Sequence, residues 1–366
     1  GSYENAADTE RDIIVCDEHG FGQTKMLPYG TYTVHQVSGW EGRELMPDFD
    51  VYVSQDETTY RYLINNRNFE SFIHVVKVDA ETDKTIPYAG AAFKIFNPDG
   101  ELVTMSFTYP TPTTIDTFYT DENGTLVTPE KLPYGKGYFL VEVEAPYGYV
   151  LDTTPVYFDV TEENSESKDG ITVIKVNKGN VPQKGVVNIT KTGEAFVDVT
   201  VNEGVYQPIY GEAALEGAVF EIRAAEDIIT LDGTVRYVKG EVVDTITTGA
   251  DGTAKSKELY LGKYEVQEIT AAYGYVLNGE VHQVELIYAG QEVSVTETAT
   301  AFYNERQTAT LSMIKVLETN ELFDIGDNGE IKNVVFGLYA AEDITAANGA
   351  VIPADGLIEV ITFDES

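Results

Sequence analysis

Two long repeats of the chain each carry a lysine, a glutamate and an asparagine at matching positions. They are Lys77, Glu142 and Asn177 in one repeat and Lys191, Glu268 and Asn304 in the other. The asparagine follows the glutamate by 35 residues in the first set and by 36 in the second. Single residues of these types usually lie on a solvated surface or in a turn. Their recurrence within a repeat whose other matching positions are apolar favours a shared chemical role instead.

The chemistry that such a set could perform follows from burial. Each lysine lies in an apolar run, as at 75–78, and alternation along a strand can point it into the core. Burial favours the neutral amine, which is a nucleophile. A buried glutamate tends to keep its proton, so it can hydrogen-bond the asparagine amide and move protons. Attack of the amine on the amide carbon would release ammonia and leave a Lys–Asn isopeptide bond.

The elements that would position these residues are short β-strands. Apolar and polar residues alternate at 139–143 and 262–267, and turns such as 121–124 separate such runs. The 24 tyrosines, together with many Val, Thr and Ile residues, suit pleated and half-buried surfaces. The pattern predicts an all-β protein built from sandwiches or barrels.

Internal repeats show how the chain is organised. A phrase that begins with leucine and continues into an alternating strand occurs three times, at 27–36, 132–142 and 259–268. An apolar phrase that contains a lysine also occurs three times, at 73–78, 186–191 and 311–316. The repeats exceed 100 residues, so they indicate tandem domains rather than the short coils of a solenoid.

Aligned on these phrases, the chain has four parts. Residues 71–182 and 183–309 are expected to form complete domains. Residues 1–70 correspond to the C-terminal half of a further unit, and residues 310–366 to the N-terminal half of another. We therefore expect the chain to be an excerpt of a longer array.

Composition excludes several classes of function. The chain of 366 residues has 61 acidic and 24 basic residues, a net charge of −37, which argues against binding of nucleic acid or of an anionic membrane. The single cysteine, Cys16, cannot form an intrachain disulfide, so a disulfide-stapled scaffold is excluded. The longest apolar runs have the length of strands, and we expect no membrane span.

The chain resembles tandem Cna protein B-type (prealbumin-like) domains of Gram-positive surface adhesins and pilins. The resemblance rests on the early lysine, the box E-x-x-A-P-x-G-Y at 142–149 and the asparagine that ends the last strand. The second box differs in having Ala272 in place of proline. The resemblance implies tandem β-sandwiches of the reverse immunoglobulin-like, prealbumin-like kind. It also implies two spontaneous isopeptide bonds, Lys77–Asn177 promoted by Glu142 and Lys191–Asn304 promoted by Glu268.

The terminal parts depart from this pattern. Gln36 occupies the glutamate position of the first part and Asn66 the asparagine position, but that part has no matching lysine. We therefore expect no bond within that part. Glutamine cannot act as a general acid, so the catalytic acid is missing there as well. Lys315 is the matching amine of the last part, and we expect it to be a free lysine.

The function that these features favour is structural. We expect a monomeric rod outside the cell, attached to the cell wall by an anchor beyond this sequence, that forms the stalk of an adhesin. Host extracellular matrix or glycan would bind through a separate tip domain. One alternative is a shaft or minor pilin subunit, and another is direct binding of a host protein or glycan by these domains. We expect neither a cofactor nor an enzyme activity beyond autocatalytic bond formation.

Residues 324–329 resemble a calcium loop in composition. Their spacing does not match the EF-hand pattern, and a polar turn is the simpler interpretation. We therefore expect no metal site.

Overall fold

The computed structural model describes residues 12–323, 325, 326 and 329–363. Within these ranges the regular structure is 28 β-strands and one 3₁₀ helix of four residues, which confirms the all-β fold class. No helix in the described part of the chain has the length and apolar character needed to cross a membrane. Contacts divide the chain into two compact units, one with the described residues up to 146 and 151–181, the other with 147–150 and the residues from 182 onward. The predicted division into four parts stays a prediction, since these units do not separate its parts.

The first part of the chain contains one antiparallel strand pair. Its strands are β1 (Gly30–Val34) and β2 (Phe49–Val53). Apolar side chains near this pair, such as Tyr52 and Leu63, are exposed.

The next eleven strands form the first sandwich. They are β3 (Glu70–Asp79), β4 (Ala92–Phe96), β5 (Met105–Phe107), β6 (Thr113–Ile115), β7 (Phe118–Tyr119), β8 (Thr125–Val127), β9 (Leu132–Pro133), β10 (Gly135–Glu144), β11 (Val156–Val160), β12 (Ser165–Lys168) and β13 (Ile171–Asn180). One sheet has the order β12-β13-β3-β8, with β9 also paired to β3, and the other has the order β11-β10-β4-β7. Inward-facing residues of both sheets, such as Ile73 and Leu140, form one core.

A second sandwich follows, and it also consists of two packed sheets. Its strands are β14 (Lys184–Asn202), β15 (Val205–Ala214), β16 (Val219–Ala224), β17 (Ile228–Ile229), β18 (Val235–Tyr237), β19 (Val242–Thr247), β20 (Thr253–Lys255), β21 (Leu259–Tyr260), β22 (Gly262–Thr270), β23 (Val281–Leu286) and β24 (Val295–Asn304). One sheet is centred on β14, which pairs with β15, β20, β21 and β24. The other has the order β19-β16-β22-β23, and residues such as Ile189 and Phe220 fill the core between them.

The last part of the chain has a 3₁₀ turn at Glu330–Asn333 and two strand pairs. Its strands are β25 (Val335–Tyr339), β26 (Ile344–Thr345), β27 (Val351–Ile352) and β28 (Leu357–Thr362). β25 pairs with β28, and β26 pairs with β27.

The first and last strands of each sandwich are parallel neighbours. β3 pairs with β13 in the first sandwich, and β14 pairs with β24 in the second. Lys77 lies opposite Lys178 in the first register, and Lys191 lies opposite Phe302 in the second. This pairing brings residues that are about 100 positions apart in sequence to neighbouring places in one sheet.

Candidate functional site

The two lysines end an inward-facing alternation on the first strand of each sandwich. On β3 the side chains of Ile73, Val75 and Lys77 are all fully buried. On β14, Lys191 follows inward-facing Ile189 and is also fully buried. Because the strand period is two, the same apolar pattern that buries the core carries each amine into it.

The two glutamates are placed in the same way by the facing sheet. Glu142 follows Leu140 on β10, and Glu268 follows Val266 on β22. Both carboxylate side chains are fully buried, and each pairs across its sheet with a phenylalanine. The acid and the amine therefore reach each other across the interior of the sandwich.

The second sandwich assembles a complete cluster, which we call the second cluster: Lys191, Glu268 and Asn304. The Lys191 amine (Nζ) lies 3.2 Å from Glu268 Oε1 and donates a hydrogen bond to the Asn304 side-chain oxygen. The Asn304 Nδ2 donates to Glu268 Oε1 at 2.9 Å and to Oε2 at 3.0 Å. The side chains predicted from the sequence for this sandwich thus lie together, shielded from water.

The first sandwich also assembles a buried cluster, but with a different asparagine. Lys77 Nζ lies 3.2 Å from Glu142 Oε1 and donates to the backbone oxygen of Lys178 at 2.7 Å. Asn180 Nδ2 donates to Glu142 Oε2 at 2.6 Å, and Asn180 is only 1% exposed. We call Lys77, Glu142 and Asn180 the first cluster.

Asn177, the residue expected at this place, lies elsewhere. It is exposed and pairs in register with Val76 on β3. Asn180 lies two positions beyond the residue opposite Lys77, as Asn304 lies two positions beyond the residue opposite Lys191. Asn177 is one position before that residue, so alternation turns its side chain to the other face of the sheet. The expected partner of Lys77 is therefore corrected from Asn177 to Asn180.

A backbone contact that recurs in both sandwiches and in the first part of the chain independently supports the equivalence of Asn180 and Asn304. In both sandwiches and in the first part of the chain, the residue three positions after the asparagine donates its N–H to the carbonyl of a glycine at the preceding corner. These contacts are Phe69 to Gly42 at 2.9 Å, Gln183 to Gly148 at 2.8 Å and Gln307 to Gly274 at 2.8 Å. All three glycines have positive φ, which glycine tolerates without strain. Counting back three residues from each donor gives Asn66, Asn180 and Asn304.

A second recurring contact holds the acid, and no side chain in the sequence indicates it. In both sandwiches and in the first part of the chain, a backbone N–H donates to the side-chain oxygen of the residue ten positions earlier, which is the acid or, in the first part, Gln36. The contacts are Met46 to Gln36 Oε1 at 2.9 Å, Asp152 to Glu142 Oε2 at 3.2 Å and Asn278 to Glu268 Oε2 at 2.8 Å. In both sandwiches this leaves Oε1 as the oxygen that faces the lysine.

Burial changes the chemistry of the amines. Removal from water lowers the pKa of Lys77 to about 8, and the nearby carboxylate of Glu142 offsets only part of that effect. The pKa of Lys191 is also lowered by burial, again against the opposing influence of Glu268. A larger share of each amine is therefore neutral near neutral pH than for a lysine in water.

The arrangement of these three groups allows an isopeptide bond to form, and the reaction accounts for every bond and proton. Neutral Nζ attacks the asparagine side-chain carbon, the bond from that carbon to Nδ2 breaks, and ammonia leaves. In the second cluster Glu268 Oε1 is within hydrogen-bond distance of both nitrogens, so it can take the proton from Nζ and give one to Nδ2. The acid returns to its starting state, and no cofactor is consumed.

The first part of the chain holds the amide half of such a site. Asn66 Nδ2 donates to Gln36 Oε1 at 2.7 Å and to the backbone oxygen of Glu44 at 2.6 Å. Lys315, the matching amine of the last part, is exposed. The structure therefore places Gln36 beside Asn66 as the repeat suggests and places no lysine of the repeat beside them.

No group of three or more His, Cys, Asp and Glu side chains that could hold a metal ion occurs among the described residues. Of the loop with calcium-like composition, residues 324, 327 and 328 lie outside the described residues.

A comparison with protein families finds a match to the SpaA family of prealbumin-like fold domains. It covers residues 72–172 and 209–300, just over half of the chain. The matched segments include Lys77, Glu142 and Glu268. A search of curated protein sequences found no match.

Comparison with solved structures finds proteins of Gram-positive bacteria. The Bacillus anthracis TIE protein is 26% identical, covering 80% of this chain and 44% of that protein, with a TM-score of 0.40. A streptococcal ancillary pilin is 21% identical, covering 81% and 80%, with a TM-score of 0.25. A C-terminal fragment of the pilus adhesin SpaC from Lactobacillus rhamnosus GG is 15% identical, covering 66% and 100%, with a TM-score of 0.32. The chain thus spans less than half the length of the TIE protein.

Proposed function

Because the chain belongs to the SpaA family of prealbumin-like fold domains, we propose that it is a load-bearing stalk segment of a Gram-positive surface protein. Its two sandwiches would each be locked by an intramolecular isopeptide bond. The bonds would be Lys77–Asn180, promoted by Glu142, and Lys191–Asn304, promoted by Glu268. The observation that carries the proposal is that, in each sandwich, a buried amine on the first strand and a buried amide on the last strand both contact one buried acid on the facing sheet.

The position of these bonds suits the transmission of force. Tension enters the first sandwich at the start of β3 and leaves at the end of β13, so it shears two parallel neighbours. A bond from Lys77 to Asn180 would carry the load from one strand directly to the next. The residues between them would stay unstretched, and the same holds between Lys191 and Asn304. Unlike a disulfide, such a bond is not broken by reduction.

The composition agrees with a role outside the cell. A net charge of −37 would keep neighbouring molecules apart and soluble. A chain with a single cysteine must obtain covalent reinforcement in another way, and the two clusters offer it. Attachment to the cell wall, and binding of host matrix or glycan through a separate tip domain, stay predictions.

Single-molecule pulling of the purified chain from its two termini tests the proposal. The wild-type chain should never release the segments between the bonded residues. The double variant Glu142→Gln, Glu268→Gln should unfold in two added steps of about 100 residues each, roughly 340 Å per step. A wild-type chain that extends as far as the double variant would refute the load-bearing role.

A further inference from the structure

The loop that follows each acid is tied to the last strand of the same sandwich by one side chain. In the first sandwich Asp152 Oδ2 accepts a hydrogen bond from the ammonium of Lys178 on β13 at 2.8 Å. In the second sandwich Asn278 Nδ2 donates to the backbone oxygen of Tyr303 on β24 at 3.1 Å. The two tethers differ in chemistry, an ion pair in one case and a neutral amide contact in the other.

The same two residues supply the backbone N–H groups that hold the acids. The N–H of Asp152 reaches Glu142 Oε2, and the N–H of Asn278 reaches Glu268 Oε2. Each residue also folds its own loop, because its Oδ1 accepts the N–H two positions on, at 2.9 Å in both loops. One residue therefore shapes the loop, fixes it to the strand that ends in the reacting asparagine, and aims an N–H at the acid.

We propose that Asp152 and Asn278 are positioning residues for isopeptide formation, a role that rests on the proposed function. Their N–H groups fix the acid oxygen that faces away from the lysine, and their side chains hold the loop in place. The oxygen nearest the lysine is then held 3.2 Å from the amine in both clusters, where it can exchange a proton with the amine.

The tether matters because the acid must serve two partners. A carboxylate that turned by about an ångström would lose its contact with either the amine or the amide, and misplacement of that size can cost about 100-fold in rate. Lys178 is suited to the task because its side chain is only 3% exposed and also donates to the backbone oxygen of Thr154 at 2.9 Å. It thus holds two points of the loop.

The comparison with the first part of the chain isolates the tether from the N–H contact. Met46 donates its N–H to Gln36 in the same way, yet its side chain has no polar group to reach a neighbouring strand. The backbone contact is thus common to the first part of the chain and both sandwiches, whereas the polar tether occurs in the two sandwiches, each of which holds a lysine, a glutamate and an asparagine together.

The experiment follows bond formation in time. The full chain is recovered unfolded from inclusion bodies in denaturant, and its intact mass is first checked to be that of the unreacted sequence. It is then refolded by dilution, and the loss of ammonia is read by intact mass, with proteolytic fragments assigning each bond. Asp152→Ala should slow the Lys77–Asn180 bond by about tenfold or more and leave the Lys191–Asn304 bond at the wild-type rate. Thr153→Ala, an exposed neighbour in the same loop, should leave both rates unchanged.

Exchange of the two side chains separates positioning from simple loop folding. Asp152→Asn keeps the loop contact of Oδ1 but turns an NH2 donor toward the Lys178 ammonium, so it should slow the Lys77–Asn180 bond by about tenfold. Asn278→Asp keeps the loop contact of Oδ1 but loses the donor to Tyr303, and should slow the Lys191–Asn304 bond by about tenfold. A loop-folding role alone would leave both exchanges at the wild-type rate.

Two outcomes are kept apart by this design. Wild-type rates for Asp152→Ala and Asn278→Asp, in a wild-type chain that does lose two ammonia molecules, would overturn the positioning role alone. A refolded wild-type chain that loses no ammonia would instead contradict the proposed function, and the positioning role with it.

Discussion

The two clusters share their reacting groups but differ in the residue that lies opposite the reactive lysine. In the first cluster that residue is Lys178, whose backbone oxygen accepts a hydrogen bond from the Lys77 amine. In the second cluster it is Phe302, and the Lys191 amine lies 5.9 Å from the ring centres of both Phe302 and Phe220. One amine thus lies beside a second cation, and the other lies between aromatic faces.

The difference shows which features the chemistry needs. Both lysines are fully buried and both have a lowered pKa, so the desolvation that makes the amine reactive comes from the sandwich core rather than from one neighbour. Aromatic faces favour the charged form of Lys191, whereas the charge of Lys178 disfavours the charged form of Lys77. We therefore expect the first cluster to react at lower pH than the second.

The largest effect is expected from removal of the acids. Glu142→Gln and Glu268→Gln each imitate the first part of the chain, where Gln36 lies beside Asn66, and each should prevent one bond. Closure of a loop of about 100 residues contributes about 4–5 kcal/mol in the chain-entropy model, so each sandwich should lose about that much unfolding free energy. Intact mass and thermal unfolding measure the two consequences. Normal ammonia loss in either variant would show that the acid is dispensable.

A matched pair of asparagine variants tests the corrected assignment. Asn180→Ala should abolish the bond of the first sandwich only, so the chain should lose one ammonia instead of two. Asn177→Ala should leave the mass deficit unchanged, because Asn177 is exposed on the other face of the sheet. The reverse result in peptide mapping would restore the assignment made from the sequence.

The comparison between Asn177 and Asn180 also shows what the sequence can predict. The fold class, both lysines and both acids follow from alternation and from the repeat. The spacing favours Asn177, which lies 35 residues beyond Glu142, because the matching distance in the other repeat is 36 residues, whereas Asn180 lies 38 residues beyond Glu142. The added residues belong to the connection between β11 and β13. This connection forms the short strand β12, whereas no strand lies between β23 and β24. The partner of Lys77 is identified by which face of the sheet its side chain takes, rather than by its spacing from the acid: Asn180 faces inward, as Lys77 does.

Other parts of the site leave no trace in a single sequence. The N–H groups that hold the acids come from the backbone of Met46, Asp152 and Asn278, and any residue except proline can supply an N–H. The role of Lys178 is equally hidden, because its side chain reaches a loop that lies 26 residues earlier in the chain. Such contacts depend on the register of parallel strands, which only the folded chain establishes.

A pH dependence of moderate size is expected when the bond cannot form. In Asn180→Ala the buried Lys77 remains an amine with a pKa of about 8, against an ordinary value of 10.5 in the unfolded chain. Between these values the unfolded chain binds more protons, so the free energy of unfolding should rise with pH, by roughly 1–3 kcal/mol. Denaturant unfolding at pH 7.5 and pH 10, about the two ends of this interval, measures the change. The added substitution Lys77→Met should remove it, and a fall in stability over the interval would contradict the account.

The smallest shift of a pH profile is expected from the residue that distinguishes the two clusters, whose removal also breaks the tether to Asp152 and should slow the first bond at every pH. Lys178→Met removes a positive charge beside Lys77 and should raise the pKa of that amine, moving the pH profile of the first bond to higher pH by less than about one unit. The profile of the second bond serves as the internal control and should not move. An unmoved first profile, or a shift to lower pH, would show that the charge of Lys178 does not lower the pKa of Lys77.

The intact mass of the purified wild-type chain tests the central claim most directly. The account predicts a mass lower than that of the sequence by two ammonia molecules, with branched peptides that join Lys77 to Asn180 and Lys191 to Asn304. A mass equal to that of the sequence, with all four residues recovered in linear peptides, would contradict it.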